Sequence, residues 1–139
     1  MILLDTNVLS ELTKPLDNPT VQTWFDSQVA DTLFLSAISL SELLTGVAIM
    51  PQGRRRQSLF LMLEEIVVRI FKGRVLPFDE AAARAYATII VRARKRGRAI
   101  APLDGKIAAI AAVHGFVVAT RDVGPFLAAG VGVVNPWEA

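Results

Sequence analysis

The chain of 139 residues contains no cysteine and a single histidine, His114. Without thiols it can form neither disulfides nor thiolate zinc sites, and it has no cysteine nucleophile. With one imidazole it cannot use any mechanism that needs two histidines. His114 stands at a predicted helix end, just before Gly115, and reads as structural. Long apolar runs are missing too, although 53% of the residues are apolar and the mean hydropathy is +0.44. The longest such stretch, Ile107–Val113 resumed at Phe116–Ala119, is interrupted by His114 and Gly115. It falls short of the ~18 apolar residues that a membrane span requires. No basic segment precedes the apolar residues 1–4 and Asp5 interrupts them, so no secretory leader is expected. Neither linker, repeat nor low-complexity tract divides the sequence. The expectation is one cytoplasmic, globular domain over residues 1–139, long enough to bury roughly 68–70% of the surface its unfolded chain exposes.

What is present is an uneven charge pattern. The net charge is only +2, from 15 basic and 13 acidic residues. Yet Arg54, Arg55 and Arg56 form one basic cluster, and Arg92, Arg94, Lys95, Arg96 and Arg98 form another. Such a cluster alone is usually a solvated face. Two of them also fit a polyanionic partner, because phosphate contacts supply most non-specific affinity for nucleic acid.

Strand and helix signals alternate along the chain. Residues 1–4 read as a buried strand of continuous apolar residues. A short helix follows over 8–12, and a second begins at Asn18 with Pro19 in its first turn. TLFLSA (32–37) is the next strand, leading to Ser39 and a helix over 40–50 that stops before Pro51 and Gly53. Residues 58–71 form a long helix, apolar on more than one face. RVLPF (74–78) is a third strand. Asp79 then caps a helix that runs to Gly97, placed as a terminal glycine should be. A helix of mostly small residues over 103–115, a buried strand over 116–120 and a last strand over 131–134 complete the pattern. The alternation predicts an α/β sandwich with a mostly parallel sheet flanked by helices.

In open parallel sheets, ligands bind beyond the carboxyl ends of the strands. Four acids are predicted near such ends. Asp5 closes the first strand, Glu42 lies in the first turn after the second, Asp104 opens the small-residue helix, and Asp122 follows FVVAT by two residues. Each also has a plain structural reading. Asp5 and Asp104 can cap helices, Ser39-Leu40-Ser41-Glu42 has the form of a capping box, and Asp122 can mark a turn. All of these readings nevertheless place carboxylates on one edge. Two carboxylates about 5 Å apart repel by ~3 kcal/mol at an effective dielectric near 20, a large fraction of the ~5–15 kcal/mol that stabilises a domain. A divalent cation removes the conflict, and oxygen-only ligands point to Mg²⁺ or Mn²⁺ rather than zinc. Such ions activate water and neutralise charge at phosphoryl centres. With those four set aside, 9 acids face 15 basic residues, a basic body around an acidic pocket. That combination suits nucleic-acid cleavage.

The sequence at this point resembles the PIN-domain ribonucleases, in particular toxins of the VapC and FitB type. The likeness runs through MILLDTNVLSE, LSAISLSELLTGV, FDEAAARAYA, LDGKIAAIAAVHGFVVATRD and the closing VVNPW, nearly the whole chain. The LLDTN start together with ATRD is its most specific part. The resemblance implies a three-layer PIN-like sandwich and a Mg²⁺- or Mn²⁺-dependent endoribonuclease. Asp5, Glu42, Asp104 and Asp122 would be its catalytic and metal-binding acids, with Thr6, Asn7 and Thr120 as polar supports. It further implies RNA as substrate, a homodimer, and a small antitoxin that inserts a basic side chain into the acidic pocket. Arg92, Arg94, Lys95, Arg96, Arg98 and Arg121 are candidates for RNA contact. Helix 58–71 is a candidate for the dimer or antitoxin contact, with core packing as the alternative. The sequence departs from many relatives at Ala101-Pro102-Leu103, before the third acid, and at Pro125, where many carry a further Asp.

Two other readings compete. Phosphatases of the haloacid-dehalogenase type also place an acid after an apolar strand, but need a second Asp two residues on, where this chain has Asn7. A non-catalytic binding module would use the four acids only as caps. Binding of Mn²⁺ separates it from the nuclease.

Overall fold

The strand that opens the chain, β1 (Ile2–Leu4), lies at the centre of a sheet of five. The computed structural model describes residues 1–14 and 18–139. The other strands are β2 (Leu33–Ser36), β3 (Val75–Leu76), β4 (Val117–Ala119) and β5 (Val133–Val134). Their order is β3-β2-β1-β4-β5, and every neighbouring pair is parallel. From β1 the chain builds outward on one side through β2 and β3, then crosses to the other side for β4 and β5. The switch in direction falls between β1 and β4, where an open parallel sheet leaves a crevice at its carboxyl edge.

Among the described residues seven α-helices connect the strands: α1 (Thr6–Leu12), α2 (Pro19–Asp26), α3 (Ala37–Ala48), α4 (Arg54–Ile66), α5 (Glu80–Lys95), α6 (Pro102–His114) and α7 (Val123–Ala128). Successive strand residues point to opposite faces, so each strand serves two cores. Leu3 and Val118 join Ala82 and Ile89 of α5, Ile107 and Ile110 of α6, and Phe126 of α7. Leu4, Leu35 and Ala119 join Val8 and Leu9 of α1, Val21 and Trp24 of α2, and Phe71. Continuous apolar strands follow directly from this, because helices cover both faces. The result is the expected three-layer sandwich.

Local chemistry sets the helix ends. The Asp79 carboxylate accepts the Ala82 amide at 3.0 Å and starts α5. Gly97, at φ +73°, ends it: the Gly97 and Arg98 amides donate to Arg94 and Ala93 carbonyls, a closing motif that needs a left-handed residue. Gly105 has a packing role instead. A β-carbon there would stand 2.9 Å from both the Tyr86 ring and Ile90, so glycine lets α6 seat against α5.

Several boundaries differ from expectation. Helix α1 begins at Thr6 rather than Val8, because Asp5 is its N-cap. Ser36, not Ser39, caps α3 and accepts the Ser39 amide at 2.9 Å, so the capping box expected over Ser39–Glu42 does not form. Helix α4 begins at Arg54, directly after Gly53, which makes the triple-arginine cluster its first turn; its far end widens into a π-turn over Val67–Phe71. Its apolar residues are not all core: Leu63 is buried, whereas Phe60, Leu61 and Met62 are exposed. Arg74 ties the end of this segment to the sheet, donating to the carbonyls of Ala30, Leu33 and Ile70. No helix among the described residues is long and apolar enough to cross a membrane.

Candidate active site

Asp5 follows β1 directly, at the switch point, and is only 5% exposed. Its amide donates to the Ala119 carbonyl at 2.9 Å, continuing the ladder onto β4, so the residue is held on both sides. One carboxylate oxygen accepts the Thr6 amide at 2.8 Å, and the other accepts the Thr120 hydroxyl at 2.8 Å. Thr120 is itself buried and saturated: it donates to Asp5 and accepts from the Asp122 amide at 3.0 Å and the Asn7 side-chain amide at 3.3 Å. Asn7 in turn accepts the Arg121 amide at 3.4 Å. The polar residues after β1 and after β4 therefore form one hydrogen-bonded knot across the switch point.

Glu42 joins from α3. Thr6 donates its hydroxyl to Glu42 at 2.8 Å and lies 3.0 Å from the buried Ser39 hydroxyl. Thr6 has one hydroxyl proton, which the bond to the Glu42 oxygen takes, so in the contact with Ser39 it is Ser39 that donates to Thr6. The capping reading of Glu42 is thereby replaced by a tie between two helices that start at the carboxyl edge. Asp104 arrives from the first turn of α6, where Pro102 occupies the first helical position and Ala101 the cap. It is not the cap itself, and proline at that position is compatible with a regular helix start. Asp122 occupies the cap position of α7 but its side chain makes no capping bond.

The electrostatics bind these positions together. Burial pushes Asp5 up to about 6; the hydrogen bonds from Thr120 and Thr6 oppose the rise, and the charges of Asp104 and Glu42 add to it. Burial also raises Asp104, reinforced by the charges of Asp122 and Glu42. Each of the four acids is thus within electrostatic reach of at least one of the others. No buried side-chain polar atom among the described residues lacks a hydrogen-bond partner, so the strain lies in charge and not in unmet bonds.

Among the described residues, no three acidic or histidine side chains converge tightly enough to enclose a cation by themselves. The donor set is nonetheless a hard, all-oxygen one carrying excess negative charge. It fits a cation that keeps several of its waters, as Mg²⁺ does, and does not fit one that needs a closed cage of protein ligands.

The second basic cluster lies in the last turn of α5 and just beyond it. Gly105 meets Tyr86 and Ile90, so the turn bearing Asp104 lies alongside the middle of α5. Arg92–Lys95 follow Ile90 by roughly 3–8 Å along the helix axis. Arg92, Arg94, Lys95, Arg96 and Arg98 are all exposed, and none forms an ion pair among the described residues. Nothing in the local sequence points to Ser36 or Ser39 as part of the site. Their serine-rich stretch reads as a cap, and only the packing of α3 against α1 brings Ser39 to Thr6.

Residues 2–130 match the family model described as PIN domain. The chain is 51% identical to the VapC ribonuclease Y4jK of Sinorhizobium fredii over 99% of both sequences. It is 48% identical to the toxin FitB of Neisseria gonorrhoeae, again over 99% of both. It also superposes on a chain in the structure of FitAB bound to the IR36 DNA fragment with a TM-score of 0.93 and 47% identity, covering 99% of this chain and 96% of that one.

Proposed function

Because this chain belongs to the PIN-domain family, we propose that it is a metal-dependent endoribonuclease and the toxin of a toxin–antitoxin pair. The observation that carries the reading is Asp5: a carboxylate nearly excluded from water and pushed up to about 6, with the charges of Asp104 and Glu42 acting on it from two other helices. A structural cap has no need of such company. Perturbed acids gathered at the crevice of a parallel sheet are what charge-driven catalysis requires.

Asp5, Glu42, Asp104 and Asp122 would hold the cation, Mg²⁺ or Mn²⁺, in part through the waters it keeps, since no three of them converge on one point. When bound, it would supply Lewis-acid neutralisation at the phosphoryl oxygens and lower the pKa of water. The chain's own residues do the positioning. Thr120 and the Thr6 amide fix both oxygens of Asp5, and the Thr6 hydroxyl fixes Glu42, so the carboxylates are oriented before substrate arrives. Asn7 and Thr120 lock the turn that carries Asp122. In the hydrolysis a water oxygen bonds to phosphorus, the bond to the 3′-oxygen breaks, and that oxygen takes up a proton. The ribose 2′-hydroxyl is not the nucleophile. His114 lies at the opposite end of α6 from Asp104 and takes no part.

A second chain fits the same reading. The name of the FitB toxin and the structure of FitAB on DNA support a partner that restrains the nuclease. A basic side chain from that partner would replace the cation's charge in the acidic pocket. The exposed apolar residues Phe60 and Leu61 on α4 offer it a docking face.

The function is tested by incubating purified protein with RNA in Mn²⁺, in Mg²⁺ and in EDTA, and analysing the ends formed. Cleavage should need the metal and leave 5′-phosphate and 3′-hydroxyl ends. Undiminished cleavage in EDTA, or 2′,3′-cyclic phosphate ends, overturns the mechanism.

A further inference from the structure

Arg121 lies in the turn between the two polar residues that matter most after β4, Thr120 and Asp122. An arginine beside so many acids would be expected to neutralise one of them. It does not: among the described residues no carboxylate lies within ion-pairing distance of its guanidinium. The guanidinium carbon instead lies 5.1 Å from the centre of the Trp137 ring. Trp137 belongs to a short 3₁₀ turn, Pro136–Glu138, whose start is held by the Asn135 side chain accepting the Trp137 amide at 3.0 Å. Its ring packs against the core beneath α1 and α2. The backbone of Arg121 is anchored as well, through its amide to Asn7.

We propose that Arg121 is a phosphate-binding residue for the RNA strand and that Trp137 is the positioning residue that aims it. The inference rests on the nuclease reading and adds where the substrate is gripped. An indole under the guanidinium restrains a side chain that would otherwise sample many rotamers, and leaves its N–H edges unblocked. Those edges match the paired oxygens of a phosphodiester. The charge is held at the rim of the acidic crevice, where a polyanion must approach carboxylates that repel it. A cation already consumed by Asp5 or Asp122 could not offset that repulsion; one stacked on an indole can. The phosphate it fits is one that flanks the scissile bond, since Arg121 is anchored through Asn7 to the knot that orients Asp5 and does not itself contact Asp5.

The experiment uses the full chain with Mn²⁺ and an end-labelled RNA oligonucleotide selected as a cleaved member of a random-sequence pool. Arg121→Gln should raise KM about tenfold, the size expected when a charge-assisted bond is removed, while kcat changes less than twofold; Arg121→Lys, which keeps the charge and loses only the planar fork, should raise it less. The salt dependence of RNA binding should fall by ~0.7 in log–log slope with Arg121→Gln, the value for one phosphate bound on a single strand, and hold with Arg121→Lys. Trp137→Leu should raise KM in the same way, and Trp137→Phe, which keeps a ring under the guanidinium, should restore it. Should Trp137→Leu fail to fold, Trp137 emission in a Trp24→Phe background gives the second readout: it should change when RNA is added in EDTA, and the change should vanish with Arg121→Gln. Unaltered KM and salt slope in both Arg121 variants overturn the proposal, as does a loss confined to kcat. Unaltered emission on RNA binding removes Trp137 from it. A wild-type protein that cleaves no RNA overturns the nuclease reading and this inference with it; a wild type that cleaves while the variants match it overturns this inference alone.

Discussion

Asp5 and Asp104 are both acids with raised proton affinity, yet neutralising each should have a different effect. Asp104 is half-buried and, among the described residues, accepts no hydrogen bond from another side chain, so Asp104→Asn removes repulsion and little else. It should abolish cleavage and raise the melting temperature at pH 7 in EDTA, and added Mn²⁺ should then stabilise the wild type far more than the variant. Asp5→Asn should also abolish cleavage but without that gain. Its new amide would face Thr120, whose hydroxyl already accepts from Asn7 and Asp122, and three donors would then converge on one oxygen. Melting curves of the three proteins in EDTA and in Mn²⁺ test both statements. A first-turn acid acting only on the helix dipole would instead leave Asp104→Asn level with wild type or slightly below it. The same residues set a pH dependence. The ordinary pKa of Asp5 is 3.8 and burial takes it to about 6, so the folded state binds more protons than the unfolded state between those values. Stability of the metal-free protein should therefore be greatest near pH 4 and fall as pH rises through about 6. Urea unfolding in EDTA from pH 4 to 7 measures it, and saturating Mn²⁺ should flatten the decline because the cation offsets the ionised form.

At the scale of elements, the proposed function would divide the work between α5, as the grip on RNA, and α6, as the carrier of an acid. Helix α6 is small-sided so that it can lie against α5 and the sheet, which brings Asp104 to the crevice; Gly105 is the residue that allows the approach. Helix α5 carries the basic residues in and beyond its last turn, where they also complement the helix dipole. Replacing Arg92, Lys95 and Arg96 together with Ala should weaken RNA binding and lower its salt slope by ~2, about 0.7 for each phosphate no longer held. Mn²⁺ affinity should hold steady, because these side chains are exposed and make no bond to the acids. Binding measured at several salt concentrations, beside calorimetric titration with Mn²⁺, separates the two effects. An unchanged slope would mark the cluster as an ordinary solvated face.

For the whole molecule, the parallel order β3-β2-β1-β4-β5 explains why the site is where it is. Strands β1 and β4 send their following segments to opposite sides, and the crevice between them is lined by whatever residues come directly after each strand. Helix α4, whose end packs into the core opposite α5 and α6, is left with apolar side chains in water. A toxin held by one partner would have them covered. Phe60→Asp with Leu61→Asp should prevent co-purification of a small protein encoded beside this chain, while leaving the fold intact, since both side chains are exposed. Pull-down of the tagged variant from cells expressing both genes is the measurement, with circular dichroism as the control for folding. Retained partner would place the contact elsewhere.

Much of this is legible residue by residue. Apolar strands of continuous Leu and Val, the Asp79 cap, the Gly97 terminus and the alternation of strand with helix depend on interactions within a few positions, and local chemistry dictates them. Asp5, Asp104 and Asp122 stand out because each follows a strand or opens a helix, whereas Glu42, expected in the first turn of its helix, stands in the second turn of α3. What sequence cannot contain is which hydrogen bonds those polar residues choose. Ser39 reads as a cap and is the donor to Thr6; Glu42 reads as its capping partner and is the acceptor of the Thr6 hydroxyl. Arg121 adjoins Asp122 in the chain and stacks on Trp137 instead. Thr120 and Asp5 are 115 positions apart, and their bond exists only because β1 and β4 pair in register. Burial decides such choices: a carboxylate's proton affinity and a hydroxyl's partner depend on what is packed around them, and that is a property of the assembled sheet.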